Sequence, residues 1–279
     1  MQSPDPKKQR IDRLMVEHGL ADSRQRATAL LMAGLVSVSG RSVVKPGTQV
    51  PIDSEISVRP PPFDFVSRSG EKLRAAIDHF GIEVVGKVCI DVGASTGGFT
   101  QCLLERGARL VYAVDVGYGQ LAYELRTRPE VVLLERTNIR YLSASRLETR
   151  PDLAAIDVSF ISLRLVLPKV CELLADAGEA LALIKPQFEV GKGQVGKGGI
   201  VRDAGLHRSV LREILSFSCE SGFGPIGVIP SPLLGQKGNQ EYLMLARKQR
   251  SGAQDDISKQ IDDAISQAFQ RGSFSCSRQ

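Results

Sequence analysis

Three things are missing from this chain, and each absence narrows what it can be. No apolar run approaches the ~20 residues that cross a bilayer, so no spanning helix is expected. The opening MQSPDPKKQR lacks the apolar core of a secretory leader, which points to the cytoplasm. The cysteines, five in number, are scattered and never fall in a C-x-x-C pair. Neither a disulfide framework nor a zinc site is therefore expected, and no metal is needed. Tryptophan is absent and aromatic residues are few. With 42% hydrophobic and 24% charged residues, the remainder describes an ordinary folded protein. A net charge of +5 suits an anionic partner without identifying one.

The chain is organised around VCIDVGASTGGFT, from Val88 to Thr100. An apolar run ends in Asp91 and opens into Gly93, Ala94, Ser95, Thr96, Gly97 and Gly98 before Phe99 begins an apolar helix face. Strand, glycine-rich turn and helix start in that order make a cradle for a nucleotide-like ligand, with free helix N–H groups beside it. The next strand, LVYAVDV, ends in Asp115, at about the separation where such folds set a carboxylate on a ribose. The spacing departs from the G-x-G-x-x-G that a pyrophosphate requires, and an acid precedes the first glycine. That suits a cationic ligand, and S-adenosylmethionine carries both a sulfonium and an ammonium.

Before this stretch, Ile11–His18 and Arg24–Ala33 have helical spacing with glycines placed to stop them. LVSVSGRSVVKPGTQV then reads as alternating strands turning at Ser39-Gly40, with a third strand near Glu55–Arg59. The result is a small αβ module, and Arg10, Arg13, Arg24 and Arg26, read as lying on two adjacent helices, favour a phosphate-binding face. Lys45 extends it. Consecutive prolines after Arg59 form a stiff hinge. Domain limits follow at 8–59, a 60–66 linker, 67–249, and a polar 250–279 tail. In that tail Ile257, Ile261, Ile265 and Phe269 draw one apolar stripe of a terminal helix.

Beyond the cradle, apolar strands alternate with amphipathic helices, which implies a doubly wound, mostly parallel sheet. The last two strands are separated by too few residues for a crossover helix and must pair antiparallel. GKGQVGKGG matches only the start of a phosphate-binding loop, because Gly198 stands where Ser or Thr is required. It reads instead as a cationic loop whose Lys192 and Lys197 can touch RNA backbone. Asp157, Lys185 and Glu241 lie at strand ends on the edge where ligands bind. Lys72 sits in the first turn of a helix, where the dipole disfavours a cation. Two lysines and two acids can thus converge near the cradle.

Two resemblances follow from these residues. RIDRLMVEHGLADSRQRATALLMAGLVSVSGRSVVKPGTQV resembles an S4 RNA-binding domain. Lys72, Asp157, Lys185 and Glu241 resemble the K-D-K-E tetrad of the FtsJ-like RNA ribose 2′-O-methyltransferases, and DVGASTGGFT is similar to that family's S-adenosylmethionine motif. VDVGYGQLA, LERTNIR, DVSFISL and KPQFEVGKGQVGKGG are more similar still to its TlyA branch, named for haemolysin or for rRNA methylation.

The resemblance implies a Rossmann-like class I methyltransferase sheet behind an S4-like domain, acting on ribosomal RNA or a ribosomal subunit, with a cytidine in large-subunit and also small-subunit rRNA as the expected targets. It implies Lys185 as base, with Lys72 and partial burial favouring its neutral form, and Asp157 and Glu241 as orienting acids. It further implies Gly93 to Phe99 at the methionine end, Asp115 on the ribose, and Asn138 or nearby backbone at the adenine. Two other readings compete: a membrane-active cytolysin, suggested by the branch's older name, and a non-catalytic RNA-binding or assembly factor that keeps the cradle as a relic.

Overall fold

A computed structural model describes residues 7–21, 23–32, 34–43, 45–59, 65–191, 193–196, 198–249 and 258–275. Its contacts divide the chain into two units, Met1–Asp64 and Phe65–Gln279.

In the first unit a short strand β1 (Lys8–Arg10) leads directly into α1 (Ile11–Glu17), and α2 (Arg24–Met32) packs against it. Strands β2 (Val36–Val38), β3 (Arg41–Ser42), β4 (Gln49–Pro51) and β5 (Ile56–Val58) follow. β2 pairs antiparallel with β3 and β5, while β4 pairs with β1. Positive φ at Ser39 and Gly40 makes the tight β2–β3 turn. Ile11, Leu14, Met15, Leu30, Leu31 and Val36 form its core. Arg10 ends a strand rather than sitting on a helix, so the expected grouping of four arginines on two helices is corrected to three.

The second unit opens with α3 (Ser69–Phe80), closed by Gly81 in the left-handed region. Then come β6 (Val88–Val92), α4 (Gly98–Glu105), β7 (Leu110–Val114), α5 (Tyr123–Arg126), β8 (Val131–Leu134) and β9 (Leu153–Ile156). They are followed by α6 (Leu167–Leu173), β10 (Glu179–Ile184), α7 (Pro186–Glu189), α8 (Ala204–Glu220), β11 (Phe223–Pro230), β12 (Tyr242–Lys248) and α9 (Ser258–Ser275). The seven-stranded sheet has the order β11-β12-β10-β9-β6-β7-β8. Only β12 runs against its neighbours, pairing antiparallel with β10 and β11. This is the Rossmann-like sheet with a C-terminal antiparallel hairpin expected from the sequence.

Period-two alternation divides the core between the faces. Ile90, Tyr112, Ile156 and Ile184 face one side under α6, α8 and α9. Cys89, Val111, Ala155 and Leu183 face the other under α3 and α4. The segment between β9 and β10 is helical in two pieces: Leu163–Leu165 is a 3₁₀ turn, and Pro168 in the first turn of α6 starts the α-helix anew. The strand order reverses between β6 and β9, which opens a crevice beyond their carboxyl ends.

Candidate active site

The glycine-rich turn after β6 lies against the end of β9. Gly93 has φ +91°, and a Cβ there would sit 2.6 Å from the Asp157 carbonyl oxygen, so only glycine permits this approach. The turn uses most of its own amides. Gly93 and Ala94 donate to the Val114 carbonyl, Gly97 donates to Ala94, and Ser95 donates to Asp115 Oδ2 at 2.8 Å. A turn with its N–H groups committed in this way is poorly suited to a phosphate and well suited to a ligand that has none.

Beyond the turn is a cleft of about 390 Å³, the size range of a small-molecule site. Its walls include Gly93, Ala94, Ser95, Thr96 and Phe99 from the cradle, and all four charged residues expected from the strand ends and from α3. These form two ion pairs. Lys72 Nζ donates to Glu241 Oε2 at 2.6 Å, with side chains only 7% and 3% exposed. Lys185 Nζ lies 2.6 Å from Asp157 Oδ1 and donates to Ser159 Oγ at 2.8 Å. The register explains the convergence. Ile184 pairs with Tyr242 across the antiparallel β10–β12 ladder, so Lys185 and Glu241 leave the sheet at one edge. Asp157 leaves β9 at that edge too. Each ammonium therefore has its own carboxylate.

Other expected residues lie elsewhere. Asp91 is fully buried: it is in phase with Cys89, so it points under α4, where Thr100 Oγ1 donates to its Oδ2 at 2.6 Å. Burial raises its pKa to about 7, and Oδ1 has no partner among the described residues. Asp91 shapes the turn from below and does not face the cleft. Gly97 and Gly98 likewise pack inward. A Cβ on Gly97 would meet Leu125 and Leu121, and one on Gly98 would meet Ser69 and Ser67. Asp115 accepts from Ser95 N and, at 2.7 Å, from Gly117 N. Asn138 caps the 3₁₀ turn Ile139–Tyr141, its side chain accepting from Arg140 N.

The cleft also holds residues that the sequence reading passed over. Arg68, Ser159, Phe160, Gln187 and Phe188 line it. Phe160 is 89% exposed with φ +63°, an uncommon conformation for a bulky residue, and its ring centroid lies 5.1 Å from that of Phe188. Glu189 fastens this wall, its carboxylate accepting from Ser162 Oγ at 2.5 Å and Leu163 N at 2.9 Å. These residues sit in loops and a one-turn helix, where no periodicity marks them. Ser159 and Phe160 lie in DVSFISL, and Gln187 and Phe188 in KPQFEVGKGQVGKGG, so their signal was membership of those two segments.

In the N-terminal unit, Arg10 and Arg24 both reach Asp12 Oδ2, at 2.9 and 3.0 Å. The Arg10 hydrogen bond leads in holding the Asp12 pKa down to about 2. Arg13 pairs with Glu17 at 3.1 Å, and Lys45 is exposed. Arg26 is half-buried. Lys192 and Lys197 lie outside the described residues. Among the described residues no group of His, Cys, Asp and Glu has the arrangement to hold a metal, and no helix is long and apolar enough to cross a membrane.

Comparison with known proteins adds the following. The FtsJ-like methyltransferase family matches residues 65–248, and the S4 domain matches residues 9–56. A Mycobacterium tuberculosis protein named 16S/23S rRNA (cytidine-2′-O)-methyltransferase TlyA is 45% identical over 94% of this chain and 98% of its own. Hemolysin A of Brachyspira hyodysenteriae is 40% identical over 84% of this chain and 98% of its own. A solved hemolysin-named protein from Streptococcus thermophilus superposes with a TM-score of 0.78 at 39% identity, covering 98% of this chain and all of that one.

Proposed function

The chain belongs to the FtsJ-like methyltransferase family, in its S4-bearing TlyA branch, and on that premise we propose that it methylates the ribose 2′-hydroxyl of a cytidine in ribosomal RNA. The observation that carries this reading is the pair of Lys–carboxylate contacts at one sheet edge beside a glycine-rich turn.

The cofactor we propose is S-adenosylmethionine, and the residues present fit it. The turn offers few free amides to a phosphate, and the carboxylates of Asp157 and Glu241 suit a cationic centre. When bound, this cofactor supplies an already activated methyl electrophile. Gly93 to Thr96 and Phe99 would hold its methionine end, Asp115 its ribose, and the segment near Asn138 its adenine. Lys185 is the group to take the hydroxyl proton, at Nζ, after that nitrogen has given up its own extra proton to solvent and stands as the neutral amine. Asp157 Oδ1 and Ser159 Oγ fix where that nitrogen points. Lys72 and Glu241 hold the cleft wall and balance its charge. Alignment of the hydroxyl with the electrophile would supply much of the rate. Phe160 offers an exposed aromatic face to a base at the mouth. The S4 unit, with Arg13 and Lys45 outward, supplies RNA backbone affinity.

The test is transfer from labelled S-adenosylmethionine to isolated ribosomal subunits, with the ribose modification mapped to a nucleotide. The reading expects incorporation at a cytidine 2′-oxygen that Lys185→Ala abolishes. Incorporation that survives Lys185→Ala would remove Lys185 as base, and no incorporation by the wild type would leave an RNA-binding factor with a relic cradle.

A further inference from the structure

We propose that Gln187 reads the Watson–Crick edge of the nucleotide whose ribose is methylated, and so sets the preference for cytosine over uracil. The inference rests on the function proposed above and adds the residue that selects the base.

Gln187 sits in α7, the single helical turn that begins immediately after Lys185. Both flanks of this turn are committed. Lys185 is held by Asp157 and Ser159, and Glu189 by Ser162 and Leu163. Phe188 packs against Phe160. Gln187 lies between them and lines the same cleft, yet its Oε1 is buried and meets no donor among the described residues. A buried acceptor left unmet is costly, and no described residue relieves it. A substrate entering the cleft can, once the side chain turns to bring that oxygen to the cleft it lines.

The chemistry of that substrate follows from the surroundings. The neighbouring Phe160 and Phe188 rings favour something flat, and the amide favours a polar edge that offers a donor next to an acceptor. Cytosine presents this edge: its N4 amino group donates to Oε1 and its N3 accepts from Nε2. Uracil presents the opposite order, O4 accepting and N3 donating, and would force the amide to turn over. Enzymes that act on a base-paired nucleotide take it out of the stack and read this edge. A side chain two residues from Lys185 is close enough to couple that reading to the positioning of the sugar.

The experiment compares the wild type, Gln187→Leu and Gln187→Glu on ribosomal subunits carrying either cytidine or uridine at the mapped position. Calorimetric affinity for S-adenosylmethionine and the melting temperature are measured alongside. The wild type should favour cytidine in kcat/KM by at least ~10-fold. Gln187→Leu should lose about 10- to 100-fold on cytidine and most of the preference, as expected for one lost buried hydrogen-bonding group. Gln187→Glu, whose carboxylate still accepts from N4, should keep cytidine above uridine. Cofactor affinity and melting temperature should stay at wild-type values. Wild-type kcat/KM and preference in Gln187→Leu would overturn the assignment while leaving the methyltransferase reading intact. A parallel loss of cofactor affinity would overturn it as well, by placing Gln187 on the cofactor. Absence of methyl transfer by the wild type would overturn the function on which it rests.

Discussion

The buried pair between Lys72 and Glu241 gives the sharpest quantitative expectation. At 2.6 Å, with side chains 7% and 3% exposed, each group has little water at hand to replace a removed partner. Deleting one member of such a pair strands a charge, which costs about 3–5 kcal/mol. For a unit of this size each kcal/mol lowers the midpoint by about 2–4 °C, so Glu241→Leu or Lys72→Met alone should lower it by about 6–20 °C. Replacing both together should recover much of the loss, since two apolar side chains leave no orphan charge. Scanning calorimetry on the four proteins closes a double-mutant cycle. Arg128→Ala, which breaks an exposed pair with Glu130, is the control and should leave the midpoint unmoved. The reasoning fails if the single variants behave like that control, or if their costs simply add in the double.

Four further expectations can be checked separately. Burial raises Asp91 to about 7, above its ordinary value near 3.9, so the folded state resists ionising it. Stability should therefore fall as pH rises from about 4 to about 7 and level off above, and Asp91→Asn should flatten that fall in urea titrations at pH 5 and 8. Parallel curves for the two proteins would contradict it. At Gly235 a Cβ would lie 2.0 Å from Glu241 Oε1, so Gly235→Ala should displace that carboxylate and cut methyl transfer at least ~10-fold; wild-type turnover would show that Glu241 has room to move. Arg13 makes only an exposed pair with Glu17, so Arg13→Ala should weaken RNA binding and make its salt dependence shallower by about one unit, whereas a salt-independent affinity would remove the S4 arginines as phosphate contacts. Glu189→Gln loses the charge that accepts from Ser162 and Leu163, and should raise KM for RNA more than it changes cofactor affinity. Equal effects on both would argue against a wall specific to RNA.

What the sequence disclosed and what it concealed follow from where period-two alternation operates. Asp157 follows directly on the apolar strand β9 and Lys185 on the apolar run Ala180–Ile184 that ends β10, and a charge at such a position stands out against its neighbours. The same alternation places Asp91 with Cys89 and hence beneath α4; Asp157 shares that phase through Ala155, but it lies past the end of β9, whereas Asp91 lies inside β6. Which acid meets which lysine is a matter of strand order and register, because Glu241 reaches the site only through the antiparallel β12. Arg68, Phe160 and Gln187 occupy loops and a single turn, where neither helical nor strand spacing separates a cleft residue from a solvated one. In the S4 unit the arginines were visible, but Asp12, which ties down Arg10 and Arg24, was visible only as a balancing charge.

The two lysines of the cleft are not equivalent, and the difference divides the work between them. Lys72 and Glu241 are almost wholly enclosed, and their contact is a well-formed hydrogen bond between charged groups. They show a sugar in the cleft only a small part of their surface, so their main contribution is to hold α3 to the edge of β12 and to set the charge of the wall. Lys185 and Asp157 are more open, at 10% and 18%, and their close approach lacks hydrogen-bond alignment: Asp157 Oδ1 has no hydrogen-bond donor among the described residues, while the lysine donates instead to Ser159. An ammonium shared between an ill-aligned carboxylate and a hydroxyl is the one whose partners an incoming ribose can replace. Its 2′-oxygen can take the place of Ser159 Oγ at Nζ, and Asp157 remains to keep the nitrogen aimed. The site is therefore built from one fixed pair and one exchangeable pair, and proton transfer belongs to the exchangeable one.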